Sequence, residues 1–573
     1  MKISDYASEN STLARIIRSP LVEYVAYLTI ALAIYAPLVY VGYVTDYLGW
    51  YDRVVAGGLS GALHSYDYGG TAPVYGFLMW ATVHLRAISP YLVLLLTCGL
   101  YAGAGLGIAC VTERFAALEG FAHGRMLGSI AAVLWLLAPH NTEIMVWRVC
   151  LHYLLTANVW CLIVLAAVRY SETGKPRLLA ETAALQAVAL LALELTYALP
   201  FAVAATTLWC SYRYFDRRWL RPAVFTVLNM ILVGAHLGLH KALNGVWIGH
   251  YGVDTATAEP LTHVLSAPWK YIVRSFAYVR APLLEPLKSA TVALGHPLAI
   301  SFLYSSLLLA FAYGAFAPRA RTQPTWLLAL YLALMGCGVA AVAPLYYYDL
   351  LSILNDRLAT LATLFAAGFA ATACGLAGRF WPAVATVTIT WQLLFLVPNL
   401  RHWSLSGDIV YNLTHETREL CQDIVTAPAV YLIAYAQNAG GAYTFADLAP
   451  YSVPLLRHVE REFGIPCRAM RNVAFLQFNQ QSADDRVVAR WREGKLDIAL
   501  DAPGAWLWRN EGMNAARYDS LGVKLAYYDY SVVVTFSEAP PAGSLFLYQD
   551  GLSIRKLPYP TPESPQPSGT HGH

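Results

Sequence analysis

Charge is what this sequence has least of. Asp, Glu, Lys and Arg make up 13% of its 573 residues, against 57% hydrophobic. That balance excludes an ordinary soluble domain, in which about a quarter of residues are charged. Basic and acidic residues nearly cancel, leaving a formal net charge of +3. So small a surplus over this length is no footprint for nucleic acid, and no nucleic-acid partner is expected. Cysteine is sparse too, with nine residues, no C-x-x-C pair and no spacing with histidine that reads as a metal site. Seven of the nine lie in or beside apolar runs, where cysteine is ordinarily a small buried hydrophobe. Cys421 and Cys467 stand apart. An oxidising compartment would permit them to pair, but their separation in space is not legible from sequence. No solenoid repeat is present.

Long apolar runs are abundant as far as residue 398. Runs near the ~20 residues needed to cross a bilayer fall at 22–44, 89–111, 124–140, 146–169, 179–198, 199–213, 221–241, 290–313, 324–344, 358–376 and 380–398. The sequence therefore predicts a polytopic α-helical membrane protein of about eleven spans. The first run is too long for a cleaved signal peptide and lacks a small-residue cleavage site, so it is expected to remain as an anchor. Basic residues set the orientation. Lys2, Arg15 and Arg18 precede the first run, and Arg114, Arg125, Arg169, Lys175, Arg177, Arg213, Arg217, Arg218, Arg221, Arg319, Arg321 and Arg379 fall on the same side. The N-terminus is expected in the cytoplasm and the C-terminal part outside it, with a bacterial inner membrane as the expected location. The parity requires that 71–87 does not cross. Its Pro73 start and its His84 and Arg86 end suit a helix lying in the outer interface. The segment 242–289 reads as a long outer loop carrying Lys270, Arg274, Arg280 and Lys288.

From residue 399 the character changes. Val430–Tyr435 and Ser531–Phe536 read as strands, while 409–425 and 450–463 carry helical spacing with charged faces. The expected organisation is a spanning domain over 1–398, an extracytoplasmic α/β domain over 399–557, and a disordered Pro-, Ser- and Gly-rich tail over 558–573.

Polar residues on the expected outer face are the functional candidates, since charge at a membrane boundary is costly. Asp46 directly follows the first run, Asp52 and Arg53 come six residues later, and the loop continues through His64, Asp67 and Tyr68. A solvated loop that merely ends a helix is one reading of these acids. The other is a general base, because a carboxylate partly desolvated at the surface has a raised pKa, nearer working pH. A second cluster is His140, Glu143, Arg148 and His152, in which His140 and Glu143, and Arg148 and His152, are spaced to share a helix face. A cap with an internal salt bridge is the competing reading, favoured for His152. A third cluster combines Tyr346-Tyr347-Tyr348-Asp349 with Asn355-Asp356-Arg357. The tyrosines read as interface anchors, whereas Arg357 has the forked geometry suited to phosphate. Glu194, late in the 179–198 run, must be neutral or face a polar cavity.

Taken in order, these elements resemble the GT-C class of membrane glycosyltransferases, in particular the branch of protein O-mannosyltransferases and tetratricopeptide-bearing transmembrane mannosyltransferases. Asp46 matches the acidic residue after the first span of that branch. Tyr68–Val74 loosely matches its "YRPL" segment, and Pro139–Trp147 its "HP-x-HTE-x-V-x-W" signature. Glu194 and Pro200 correspond to its "KE-x-x-x-x-x-P" element, with Leu193 in place of the Lys, and Asp356-Arg357-Leu358 to its "x-R-Y" element. Together they cover roughly residues 40–360. Tyr47 stands where the branch often has a second acid, the "YRP" arginine is absent, and no tetratricopeptide repeats follow residue 399. Donor sugar and acceptor therefore do not carry over.

The resemblance implies a GT-C-like fold and a polyprenyl-phosphate sugar donor. It implies an inverting transfer to a protein or glycan hydroxyl on the extracytoplasmic side. Asp46, Asp52 and Glu143 are the candidate catalytic acids. Arg357, Arg148, Lys270 and Arg274 are the candidate phosphate ligands, and His140, Glu194 and Asp356 are further site residues. No dense carboxylate or histidine cluster calls for a metal, so a metal-independent enzyme without cofactor is expected. Two other classes fit the composition. A transporter or flippase would use Glu194 and the arginines along a substrate path, although no inverted repeat or paired broken helices are visible. A polymerase or ligase of lipid-linked glycans would share the donor, but usually lacks a large C-terminal outer domain.

Overall fold

The computed structural model describes residues 19–64, 71–121, 123–214, 219–247, 261–278, 298, 301, 325–343, 356–445, 454–464, 470–471, 475–501, 506–508, 522–528 and 530–559. The chain divides into two compact units, Met1–Val39 with Trp50–Pro398, and Tyr40–Gly49 with Asn399–His573.

The first unit is helical. Among the described residues, six helices are long and apolar enough to cross a membrane: Pro20–Leu38, Pro90–Leu118, Leu151–Thr173, Leu220–Asn244, Asp356–Leu376 and Gly378–Glu419, the last extending into the second unit. Gly124–Leu136 and Trp326–Ala340 are shorter apolar helices. Their ends follow local chemistry. Ser19 and Ser89 accept the backbone N–H of Leu21 and Tyr91, each with a proline opening the helix behind it. Gly174 and Gly245 close the Leu151–Thr173 and Leu220–Asn244 helices in the left-handed conformation. Pro90–Leu118 is the organising helix, packing on Pro20–Tyr35, Pro73–Ile88, Gly124–Leu136, Leu151–Thr173 and Thr360–Leu376. Its small residues permit that approach. A Cβ on Gly107 would lie 2.7 Å from Cβ of Cys161, and Asn158 donates to the Leu100 carbonyl at 2.8 Å.

Several boundaries differ from the sequence expectation. The first apolar helix stops at Leu38 rather than near 44, because Gly42 and Thr45 both take positive φ and the chain between is irregular. The 179–198 run does not make one helix: Pro176–Leu190 ends, Leu193 is extended, and Glu194–Ala198 is a 3-10 turn. The 146–169 run begins only at Leu151, after Asn141–Val146 forms a helix of its own. The segment 242–289, read as a loop, contains the helix Leu261–Ala277, whose polar residues are spaced along one face. Residues 380–398 and 409–425, expected as separate helices, join in one helix, Trp381–Glu419, with Pro398 inside it, followed by Cys421–Thr426. The 71–87 segment is a helix, Pro73–Ile88. The 290–313 run apart from residues 298 and 301, with Asp67, Tyr68, Tyr346–Asp349, Asn355 and the 560–573 part of the tail, lies outside the described residues.

Among the described residues, the second unit is built on two sheets. In the larger, β1 (Val430–Ala439) lies between β10 (Leu545–Asp550) and β4 (Leu476–Gln480), both parallel to it. β11 (Ser553–Leu557) and β7 (Trp506–Trp508) flank these antiparallel. The short strands β2 (Ala442–Tyr443) and β3 (Met470–Arg471) also pair with β1. Burial on both faces explains why β1 reads as a near-continuous apolar run. The smaller sheet is antiparallel, in the order β5 (Arg486–Arg492), β6 (Lys495–Asp501), β9 (Ser531–Phe536), β8 (Val523–Tyr527). β5 alternates exposed and buried residues, as a half-covered strand should. Tyr40–Gly49 packs in this unit: Val41 lies against Gly407, and Tyr47 lies under the Arg461 guanidinium at 5.7 Å. Cys421 is disulfide-bonded and the seven cysteines of the helical unit are free. Cys467 lies outside the described residues.

Candidate functional site

The Pro139–Trp147 segment is rigid because its own polar groups hold it. Asn141 donates to the Tyr101 hydroxyl at 3.0 Å and the Trp135 carbonyl at 2.9 Å, and Tyr101 donates to that same carbonyl at 2.6 Å. Thr142 bonds back to the Pro139 carbonyl at 2.8 Å. The turn thus fixed delivers a short helix, Asn141–Val146, whose every residue is buried.

Glu143 on that helix meets Arg357. The guanidinium donates to Oε1 at 2.6 Å and the Arg357 backbone N–H donates to Oε2 at 3.2 Å. The same guanidinium stacks over the Trp147 ring, 4.9 Å from its centroid. Burial pushes the Glu143 carboxyl above its ordinary pKa, and the Arg357 charge pulls against that rise. Asp356, one residue before Arg357, is gripped from another side: Arg274 donates to Oδ1 through Nε at 3.1 Å and Nη2 at 2.7 Å. His140 completes the group. Its Nε2 lies 3.9 Å from Asp356 Oδ1, and its ring lies 5.1 Å from that of Tyr278. Gln392 donates to the Tyr278 hydroxyl at 2.9 Å.

Five of the residues singled out from sequence, His140, Glu143, Arg274, Asp356 and Arg357, are therefore brought into one network within the helical unit. Its side chains are almost closed to solvent, and Arg357, at 12%, is the most exposed of the five. Lys270 is buried one turn before Arg274 on the same helix. Arg148 is also buried in the helical unit. Its guanidinium donates to the carbonyls of Met145 and Leu38, each at 2.9 Å, stapling the end of the first helix. Glu194, half-buried, opens the turn Glu194–Ala198, which packs with the helices Pro176–Leu190, Leu199–Arg213 and Thr325–Ala340. The residues flanking Glu194 do meet the segment entering Pro73. Val74 donates to the Leu191 carbonyl at 3.1 Å, and His236 bridges the Tyr197 hydroxyl, at 3.0 Å, to the Thr71 carbonyl, at 3.2 Å.

Asp46 and Asp52 are both exposed on the helix Asp46–Leu63. Asp46 opens that helix in its first turn, directly after Thr45 with φ of 54°, and belongs to the second unit, whereas Asp52 belongs to the first. Among the described residues, no three His, Cys, Asp or Glu side chains converge as a metal site.

No protein-family model matches the chain, and no curated protein matches it.

Sequence reasoning missed three members of this architecture. His236 carried a usable signal, being a titratable residue inside an apolar run. Gln392 carried a weaker one of the same kind. Tyr278 carried none: it holds φ of 55°, a conformation costly for a bulky side chain and a mark of functional positions, and nothing local announces it.

Proposed function

We propose that the chain is an integral membrane glycosyltransferase of the GT-C kind, transferring a sugar from a polyprenyl-phosphate donor to a hydroxyl of a protein or glycan. The observation that carries the reading is the Glu143–Arg357 bond. Two segments picked out separately for their resemblance to that class, 214 positions apart, meet at 2.6 Å on a buried, ordered turn.

In this reading the donor's hydrocarbon lies in the bilayer, with its phosphate and sugar at the extracytoplasmic surface. The acceptor oxygen attacks the anomeric carbon, forming the new glycosidic bond as the bond to the phosphate oxygen breaks, so configuration inverts. Polyprenyl phosphate leaves with the bonding electron pair, and a carboxylate accepts the hydroxyl proton, the role that the resemblance gives to Asp46, with Asp52 in the helical unit the alternative. Charge gathers on the leaving phosphate and needs fixed positive partners that do not reorganise. Arg357, held by Glu143 and by the Trp147 face, is preorganised for that role, with Lys270 as a second cation. Arg274 and Arg148 act through what they hold, Asp356 and the Leu38 carbonyl. His140 and Asp356 fix the orientation of the Arg357 turn.

The test is donor consumption by the purified full chain in detergent, where no gradient exists. Release of free polyprenyl phosphate from a polyprenyl-phosphate sugar, abolished in Arg357→Ala, is the expected result. A transporter or flippase leaves the donor intact under these conditions. A reporter active only outside the cytoplasm, fused after residue 405, is expected to work, and a cytoplasmic result would end the topology on which the reading stands.

A further inference from the structure

At the carboxyl end of the larger sheet of the second unit, three parallel strands finish in carboxamides. Asn438 lies one residue before the end of β1, Asn479 and Gln480 close β4, and Gln549 lies near the end of β10, each with no exposed surface. Two of the four are fully provided for. Gln549 donates to Gln480 Oε1 at 2.6 Å and to the Gly551 carbonyl at 2.8 Å, and accepts the Ala436 N–H at 2.8 Å. Gln480 donates to the carbonyls of Ser482 and Gly551. The other two are not. Asn438 and Asn479 sit in register across β1 and β4, and neither the nitrogen nor the oxygen of either side chain has a hydrogen-bond partner.

Leaving a buried polar group unpaired costs about 1–3 kcal/mol, so two bare carboxamides are a large charge against a stability of roughly 5–15 kcal/mol. The glutamines at the same sheet edge are satisfied, which sets the bare pair apart from its immediate neighbours. In open α/β sheets, ligands bind outside the carboxyl ends of parallel strands. Here the chain beyond Asn438 turns through Gly440 and Gly441, both at positive φ, and a Cβ on Gly440 would lie 2.2 Å from the His402 ring.

We infer that Asn438 and Asn479 form a binding site for a neutral, hydroxyl-rich ligand, one sugar residue of a glycan. Each carboxamide offers donors and an acceptor, and a pair of neighbouring hydroxyls returns the same complement. The partners that hold Gln480 and Gln549 beside the pair are amides and backbone carbonyls, which supply no counter-charge, so an ionised ligand would be desolvated without compensation. The pair is closed to solvent, so entry follows a local opening of the strand end and association is slow. This site does not depend on the transferase reading, since it needs no donor and no turnover.

The test is saturation-transfer NMR and calorimetry on the full chain, in a detergent without a sugar headgroup. The probes are methyl glycosides of glucose, mannose, galactose and N-acetylglucosamine, and their disaccharides. At least one probe is expected to bind the unaltered chain and to lose tenfold or more in affinity in Asn438→Ala and in Asn479→Ala. Free of ligand, both variants should unfold at the same temperature as the parent or higher, because each removes an unsatisfied group. Asn438→Ser and Asn479→Ser, smaller but still polar, serve if an alanine variant does not fold. Absence of binding by every probe, unchanged affinity in the variants, or a crystal structure in which internal waters fill the pair and persist on soaking would each overturn the inference.

Discussion

In the helical unit the two buried carboxylates of the network, Glu143 and Asp356, are each gripped by an arginine, whereas the strand ends of the larger sheet in the β-rich unit bury neutral carboxamides, two satisfied and two bare. The contrast is one of what each environment tolerates. An ion in a low-dielectric interior survives only with its counter-ion in place, so the network is all or nothing and its geometry is fixed. An amide left bare costs far less, so a fold can carry one and keep it for another molecule. Fixed charge suits stabilisation of a charge that develops in place, and bare amides suit a neutral ligand.

The sharpest way to break this comparison is to remove one charge. Arg274→Ala leaves Asp356 buried without its guanidinium and should cost about 3–5 kcal/mol, read as a collapse of the thermal midpoint in detergent. Arg274→Met combined with Asp356→Leu should recover most of that loss, because shape is kept and no lone ion remains. Equal stability of Arg274→Ala and the parent would mean that the burial of Asp356 does not depend on Arg274.

Next in size is the disulfide at Cys421. Its reduction should cost about 2–4 kcal/mol and should be felt in the β-rich unit, leaving the helical unit's transition in place. Thiol counts on the denatured chain with and without reductant check the bond, and equal counts would remove it.

Asp46→Asn separates function from stability. Asp46 is exposed, so unfolding should be unchanged, while donor turnover should fall by ~10² or more if it is the general base. Normal turnover would pass the role to Asp52 and then to Glu143. The smallest effect belongs to Arg177→Ala. That side chain is 87% exposed and pairs with Glu181 one helical turn on, so the loss should stay within about 0.5 kcal/mol. A larger loss would show that surface charge in this unit does more than its exposure allows.

Much of this was readable residue by residue. Apolar runs marked the helices, because a span is a local property of some twenty residues of composition. Val430–Tyr435 and Ser531–Phe536 were visible as strands from their β-branched and aromatic content, and both occur. Boundaries were less legible. The break at Leu193 and the early stop at Leu38 depend on backbone dihedrals that no run of hydropathy records, and the run expected to end at residue 398 continues as helix through Pro398. Of the site, the residue types were legible and their partners were not.

What the sequence determined by itself is the helical character of its first part, the strands of its last, and the scarcity of charge that makes each polar residue informative. These follow from periodicity and composition over one or two turns or a single strand. Tertiary structure alone decided that Glu143 takes Arg357 while Arg274 takes Asp356, that Arg148 is spent on carbonyls, and that Tyr40–Gly49, with Asp46 in it, packs among residues some 350 positions later. Such pairings arise where distant segments exclude water together. The energy of an ion pair depends on that shared burial, which no stretch of chain possesses before it is folded.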